Sequence, residues 1–318
     1  GSEMCIRDSG SSTYNIFYST KYVQKGEFEM NKFKEREEQI NVQLERMGAP
    51  FRVETWSKWR NGVQNYVYHL NAPKYKTTLI VYDESILEES DETVARAYLR
   101  FFVDLQQELE KIEYENFLEP TWFKNHLIVH FYSEHAKNQL QQEKKAYLDY
   151  LDFVIVFSVK IPTENRGDTA NMVVTEKMLE RFGLTKERAL EIAIANMEKE
   201  IYCEEVEKEI KNLMPGYIPC EREKSEENLS MHVVTNRVHI NGASSILIPS
   251  VLQKYEGWIV LPSSIHELIL VKGGKMPIRS YKRMVKEINE NYVSDNDFLS
   301  NNVSVSYTHL TLPTILRV

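Results

Sequence analysis

Residues 231–274 read MHVVTNRVHINGASSILIPSVLQKYEGWIVLPSSIHELILVKGG and decide the fold of the C-terminal half. Residues 231–235 contain the β-branched side chains that are typical of a strand. Asn241 and Gly242 form a strong turn dipeptide, because both residue types tolerate positive φ. Residues 245–248 are mostly apolar and predict either a strand or the start of a helix.

The second half of this stretch contains two apolar runs, at residues 258–261 and 265–271. Pro262-Ser263-Ser264 separates them, and a short polar break between two strands predicts a hairpin or a strand with a sharp corner. The density of apolar residues indicates that these strands belong to the core sheet of the C-terminal half.

The N-terminal half alternates helical and strand patterns. Residues 31–47 predict a helix, with Phe33, Ile40 and Leu44 at helical spacing. Three strand candidates follow, at residues 51–56, 63–70 and 77–82, which together indicate a β-meander. Residues 91–112 then form a long helix with a broad apolar stripe.

Further along, residues 152–161 are apolar on both alternating faces, so this strand should be central and covered on both sides. Residues 278–289 predict a final amphipathic helix, with Tyr281, Met284, Val285 and Ile288 facing inward.

These patterns predict an α+β fold with a mixed or antiparallel sheet and flanking helices. The N-terminal unit would be a helix, a β-meander and a long helix over residues 30–118. A second α+β unit would occupy residues 119–303. Residues 1–29 are expected to be a non-native or disordered leader, and residues 304–318 a tail.

Both ends resemble translated sequencing-adapter sequence of the kind found in metagenomic assemblies. The stretches are residues 4–9 and 305–314. We therefore exclude them from the interpretation of fold and function. The natural C-terminus is expected to be missing.

Composition excludes several classes of protein. The chain carries 47 acidic and 39 basic residues, a net charge of −8, which disfavours a general nucleic-acid binder. Apolar runs are far too short to span a bilayer. Three cysteines without metal-like spacing, Cys5, Cys203 and Cys220, indicate a reducing compartment, so we expect a cytoplasmic protein.

Several short motifs resemble an uncharacterised domain-of-unknown-function family that is common in gut anaerobic bacteria. They are Ile240-Asn241-Gly242-Ala243-Ser244, Leu261-Pro262-Ser263-Ser264-Ile265-His266-Glu267, Trp59-Arg60-Asn61-Gly62-Val63, Tyr150-Leu151-Asp152 and Arg181-Phe182-Gly183-Leu184-Thr185. The resemblance runs from about Met30 to Asn302. It implies a shared fold and no particular activity.

One constellation contains the residue types of a serine hydrolase. Ser263, Ser264, His266 and Glu267 offer a hydroxyl, a base and a carboxylate within five positions. Two observations oppose a local triad. In a strand, His266 and Glu267 would point to opposite faces, and the G-x-S-x-G elbow is absent from the sequence. Alternatively, the serines satisfy the backbone of a turn.

Two other groups could hold a ligand. The turn at Asn241, Gly242 and Ser244 could offer backbone amides to an anion, or be a purely structural turn. His126 and His130 would share one face of either a strand or a helix, as metal ligands do. No H-E-x-x-H order accompanies them. We expect no metal and no cofactor.

None of these groups of residues meets the requirements of a catalytic site. We therefore expect a non-catalytic binding or regulatory protein. A serine-type hydrolase using Ser263 or Ser264 with His266 is the alternative. An accessory protein of a mobile element that binds a protein partner is a third interpretation. A protein partner or a small molecule fits the composition, whereas nucleic acid and membranes do not.

Overall fold

The computed structural model describes residues 5–7, 27–72, 79–81, 89–111, 117–162, 169–214, 230–272 and 276–306. In these ranges the helices are α1 Glu27–Arg46, α2 Asp91–Lys111, α3 Pro120–His126, α4 Lys137–Gln142, α5 Glu176–Arg181, α6 Lys186–Met197, α7 Val206–Leu213, α8 Pro249–Lys254 and α9 Ile278–Tyr292. Three antiparallel sheets accompany them, which confirms the α+β class.

The strands are β1 Cys5–Arg7, β2 Arg52–Arg60, β3 Val63–Asn71, β4 Leu79–Val81, β5 Leu127–Ser133, β6 Tyr147–Tyr150, β7 Phe153–Ile161, β8 Thr169–Val173, β9 Ile201–Glu205, β10 Met231–Asn236, β11 Ile259–Pro262, β12 Leu268–Val271 and β13 Ser304–Val305. The chain divides into two compact units. Unit 1 contains residues 1–15, 20–123 and 159–172, and unit 2 contains the rest. The domain boundaries expected from sequence stay a prediction.

Unit 1 is the predicted helix, β-meander and long helix. Asn61 and Gly62 both have positive φ, 49° and 80°, which matches the right-handed twist of a hairpin with a two-residue turn. The register of β2 and β3 therefore continues without a break from Arg60↔Val63 to Arg52↔Asn71. Strand β4 adds to β3, and β1 pairs with β8.

The core of unit 1 lies between the meander and the two long helices. It contains Phe33, Ile40, Leu44, Phe51, Val53, Tyr68, Leu70, Val94, Tyr98 and Phe102. The side chain of Asn41 fastens α1 to β2, because its amide donates to the Val53 carbonyl at 2.9 Å and accepts from the Val53 N–H at 2.8 Å. Trp59, beside the turn between β2 and β3, is 48% exposed and lies outside this core.

Unit 2 contains two groups of strands. Strand β7 lies beside β5 and also pairs with β6, and its side chains are buried on both faces, as predicted. The other sheet has the order β13-β11-β12-β10-β9. The predicted hairpin is β11 and β12, from Ile259↔Val271 to Pro262↔Leu268.

Two local predictions in unit 2 are wrong. Strand β12 begins at Leu268 rather than at residue 265, because residues 264–267 form a bend. Of the two alternatives for residues 245–248, the start of a helix is confirmed, because residues 242–247 form a fully buried 3₁₀ segment and Ile248 is the N-cap of α8. In α9, Tyr281 and Val285 are buried, but Met284 and Ile288 are 43% and 45% exposed. The hydrophobic pattern alone placed them inward, whereas the sheet covers only a narrow line of the helix.

Candidate functional site

The site begins with the corner that ends β10. Asn236 holds this corner, because its Oδ1 accepts from the N–H groups of Val238 at 3.2 Å and Ile240 at 3.3 Å. Its Nδ2 donates to the Ile240 carbonyl at 2.7 Å. Asn241 follows in the left-handed conformation, with φ 53° and ψ 30°. Asparagine tolerates that conformation better than most residues, so the Asn-Gly dipeptide is well suited to this turn.

Gly242 is required by close packing. A Cβ on this residue would lie 2.2 Å from Thr235 Oγ1 and 2.5 Å from the backbone nitrogen of Asn236. Without a side chain, the Gly242 N–H donates to the His266 carbonyl at 3.0 Å. Thr235 Oγ1 donates to the same carbonyl at 2.7 Å. The corner at residues 241–242 and the bend at residues 264–267 are therefore joined directly through backbone groups.

The imidazole of His266 is engaged at both nitrogens. The backbone N–H of Asn241 donates to Nδ1 at 3.0 Å, so Nδ1 carries no proton in this arrangement. Nε2 lies 3.1 Å from Asp297 Oδ1 and therefore donates its proton to that carboxylate. Ser294 Oγ donates to the other oxygen, Asp297 Oδ2, at 2.8 Å. The His266 and Asp297 side chains are only 17% and 22% exposed.

Strand β5 joins this arrangement through His130, which lies against Asn241. Nδ1 of His130 is 3.4 Å from the Asn241 carbonyl, and a carbonyl only accepts, so Nδ1 carries the proton in this contact. The pKa of His130 is lowered to about 4, mainly by burial; the Asn241 carbonyl opposes this shift, and the nearby His266 adds to it. His130 is therefore neutral. We call His130, Asn241, His266 and Asp297 the histidine cluster.

Two buried atoms in the histidine cluster have no hydrogen-bond partner among the described residues. They are Nε2 of His130 and Oδ1 of Asn241. Leaving a buried polar group unsatisfied costs about 1–3 kcal/mol. The cluster therefore includes polar groups that do not stabilise the fold.

The structure separates the proposed hydrolase residues by role. Ser264 Oγ accepts the backbone N–H of His266 at 3.0 Å, and the Ser264 N–H donates to the Glu267 carbonyl at 3.2 Å. The hydroxyl of Ser264 thus satisfies a backbone N–H group of the turn. Ser263 and the side chain of Glu267 are half-buried, and the carboxylate beside His266 comes from Asp297.

A serine triad needs a ring nitrogen that can accept the proton of the nucleophile. In the histidine cluster the backbone amide of Asn241 occupies Nδ1, and Asp297 occupies Nε2. Neither nitrogen is available to Ser263 or Ser264. The geometry gives no support to the hydrolase alternative.

The predicted anion-binding turn uses its amides internally. The N–H groups of Asn241, Gly242 and Ala243 donate to His266 Nδ1, the His266 carbonyl and the Ile265 carbonyl respectively. Ser244 is fully buried, and its hydroxyl donates to the Val129 carbonyl in β5 at 2.7 Å. These polar groups therefore form hydrogen bonds within the chain.

The two histidines proposed as metal ligands lie in different elements, contrary to the expectation of one shared face. His126 is the last residue of α3, and His130 lies within β5. The helix ends between them, because residues 127–133 join the sheet. Within the described part of the chain, no group of three or more His, Cys, Asp or Glu side chains could hold a metal ion.

A second polar group surrounds Cys203 in β9. Tyr255 is buried, and its hydroxyl lies 3.0 Å from His232 Nδ1. The rings of His232, Tyr255 and Trp258 pack edge to face, with centroids 5.0–5.4 Å apart. Burial raises the pKa of the Cys203 thiol. Since a thiolate is the reactive form, this cysteine is not activated.

Asp297 is the residue of the cluster that the sequence interpretation missed. It lies 31 positions after His266, in the polar run Ser294-Asp295-Asn296-Asp297. Such a run indicates only a loop. No local signal connects it to the bend at residues 264–267.

Among the described residues, no helix combines the length and the apolar character needed to cross a membrane. Neither the curated proteins nor the solved structures give a match to this chain. One family model matches residues 30–307, close to the extent expected from the motifs. The chain therefore belongs to DUF5688, a family of unknown function.

Proposed function

We propose that this chain is a non-catalytic binding or regulatory protein, and that the histidine cluster is part of its scaffold. One observation supports this proposal above the others: both ring nitrogens of His266 already have partners within the chain. A general base must present a nitrogen to the proton that it removes. His266 presents none.

The surrounding contacts agree with a scaffold. The cluster joins β5, the corner after β10, the bend before β12 and the turn after α9, and the side chain of Ser244 adds another link to β5. Polar groups that connect several elements in this way specify one arrangement of the chain.

A serine-directed fluorophosphonate probe tests this proposal. The wild type should give no more labelling than Ser263→Ala or Ser264→Ala, because both ring nitrogens of His266 are already engaged by Asn241 and Asp297. Adduct formation at Ser263 or Ser264, mapped by mass spectrometry and abolished by the matching alanine variant, would overturn the proposal. Cys203→Ala is a matched control that changes a nucleophile outside the histidine cluster.

We also propose a cytoplasmic location and a protein partner. The few cysteines and the acidic net charge of −8 support a reducing compartment and a partner other than nucleic acid. Protein purified without reductant should contain no disulfide between Cys203 and Cys220, as measured by thiol titration before and after reduction. Cys220 lies outside the described residues. A native disulfide between them would argue for an oxidising compartment.

A further inference from the structure

The backbone of Asn241 lies between two imidazoles. Its N–H donates to Nδ1 of His266 at 3.0 Å, and its carbonyl lies 3.4 Å from Nδ1 of His130. The first contact requires an unprotonated Nδ1 on His266, whereas the second requires a protonated Nδ1 on His130. A proton added to His266 therefore acts on the first contact and leaves the second intact.

A proton on Nδ1 of His266 turns a hydrogen-bond acceptor into a donor. Two N–H groups would then face each other across 3.0 Å, so Asn241 would have to move away from the ring. Nε2 would keep its bond to Asp297, whose negative charge favours the imidazolium form. The neutral and the charged ring thus require different positions of Asn241.

The segment before this contact is held together by its own hydrogen bonds. We call residues 236–241 the β10 corner. Asn236 Oδ1 accepts the N–H groups of Val238 and Ile240, and its Nδ2 donates to the Ile240 carbonyl. None of these three bonds uses His266, so they survive its protonation. The β10 corner would therefore move as a unit rather than unfold.

Both ends of the β10 corner are fixed by groups that do not titrate. Thr235 Oγ1 and the Gly242 N–H both donate to the His266 backbone carbonyl, at 2.7 and 3.0 Å. The Ala243 N–H donates to the Ile265 carbonyl at 3.2 Å. These bonds limit any movement to the residues between Thr235 and Gly242.

Other titratable groups border the β10 corner and the bend. On the side of α7, His239 Nε2 lies 3.9 Å from Glu209 Oε1, and the His239 ring packs on Tyr202 with centroids 4.8 Å apart. Protonation of His239 would strengthen its attraction to Glu209, so this contact persists in acid. Glu267 follows His266 in the bend and adds a negative charge there. On the side of β5, His130 stays neutral above its pKa of about 4.

We propose that the β10 corner is a pH-sensitive element, in which protonation of His266 releases Asn241 from the bend while Asn241 keeps its contact with His130. The closed form excludes a proton from Nδ1 and the open form admits one, so a fall in pH favours the open form. With one proton bound, the ratio of open to closed protein changes at most about tenfold per pH unit. This inference goes beyond the proposed function, because it holds whether or not the chain acts on a substrate.

The test is an NMR titration of the isotope-labelled full chain from about pH 8 to about pH 5, the range in which histidines ordinarily titrate. Ring ¹⁵N shifts report the protonation of His266, and amide hydrogen exchange, corrected for its intrinsic pH dependence, reports the protection of each N–H. The Asn241 amide should lose at least about tenfold in protection as the His266 ring gains its proton. The amides of Ile240 and Gly242, whose acceptors do not titrate, should keep their protection.

Two variants separate the roles of the ring and of its carboxylate. His266→Asn keeps an acceptor, because its Oδ1 lies two bonds beyond Cβ as Nδ1 does, and it takes up no proton in this range. Protection of the Asn241 amide should then no longer depend on pH. Asp297→Asn should move the opening to lower pH by about one unit or more, because the charge that favours the imidazolium is lost. His126→Asn, in α3, is the matched control and should respond as the wild type does.

Three results would overturn the proposal of a pH-sensitive corner. The first is a His266 ring that becomes protonated while the Asn241 amide keeps its protection. The second is a His266 ring that stays neutral throughout the titration. The third is an unchanged pH response in His266→Asn. Thermal unfolding at the starting pH verifies that each variant is folded, and the wild-type titration decides the matter if His266→Asn is not.

Discussion

The backbone N–H of Asn241 donates to Nδ1 of His266 across 25 positions of the chain, at 3.0 Å. This contact fixes the tautomer of His266 and directs its Nε2 proton toward Asp297. It also ties the corner after β10 to the bend before β12. One hydrogen bond thus determines both the local fold and the chemistry that His266 can perform.

Replacing His266 with alanine should destabilise the protein strongly. The Asn241 N–H and the Asp297 carboxylate would both lose a partner in a mostly buried place, at about 1–3 kcal/mol for each group left unsatisfied. Urea unfolding followed by circular dichroism measures the loss. Glu267→Ala is the control, because that neighbouring side chain forms no hydrogen bond or ion pair with any residue that the structure describes. Equal losses in both variants would show that the cluster does not stabilise the fold.

Gly242→Ala should cost about 1–3 kcal/mol or more, because the new methyl group would overlap Thr235 and the backbone of Asn236. Gly257→Ala is the matched comparison. Gly257 has φ of +80° and open space around it, so alanine there suffers only the left-handed penalty of about 1 kcal/mol. The melting temperatures of the two variants show which substitution destabilises the protein more. A smaller effect at Gly242 than at Gly257 would contradict the packing described here.

The buried neutral His130 should make stability depend on pH between about 4 and 6.5. Its folded-state pKa of about 4 lies below the ordinary value of 6.5, so in this window the unfolded chain binds more protons than the folded one. Stability contributed by keeping His130 neutral is therefore complete above pH 6.5 and is lost as the pH falls toward 4. The contribution has a slope of at most about 1.4 kcal/mol per pH unit.

The test of this pH dependence compares wild type with His130→Leu in urea titrations at several pH values. The difference between the two profiles reports the contribution of His130 together with its interaction with His266. The variant should have the shallower slope between pH 4 and 6.5. Parallel pH profiles would mean that His130 is accessible to protons in the folded state.

In unit 1, Asn41→Ala should lower the free energy of unfolding substantially. The amide of Asn41 satisfies both backbone groups of Val53, and leaving these two buried groups unsatisfied costs about 1–3 kcal/mol each. Glu45→Ala, at an exposed position of the same helix, should remain within about 0.5 kcal/mol of wild type. Unfolding in guanidinium chloride measures the free energy of unfolding of both variants. If Asn41→Ala is no worse than Glu45→Ala, the link between α1 and β2 is not structural.

Much of the fold could be predicted because its signals are local. The hairpin at Asn61-Gly62 and the doubly buried strand β7 both follow from residues a few positions apart. One prediction that was wrong concerns how much of a helix its neighbours cover. Met284 and Ile288 fit the apolar period of α9, but the sheet reaches only the line of Tyr281 and Val285.

The sequence by itself determined the α+β class, most of the elements and the membership in a family of unknown function, because periodicity, turn dipeptides and short motifs are properties of neighbouring residues. Only the tertiary structure decided what His266 does. Its partners Asn241 and Asp297 lie 25 and 31 positions away, and His130 contacts Asn241 across 111 positions. No local pattern specifies such pairings, because they arise only when separate elements pack together and buried polar groups must find partners.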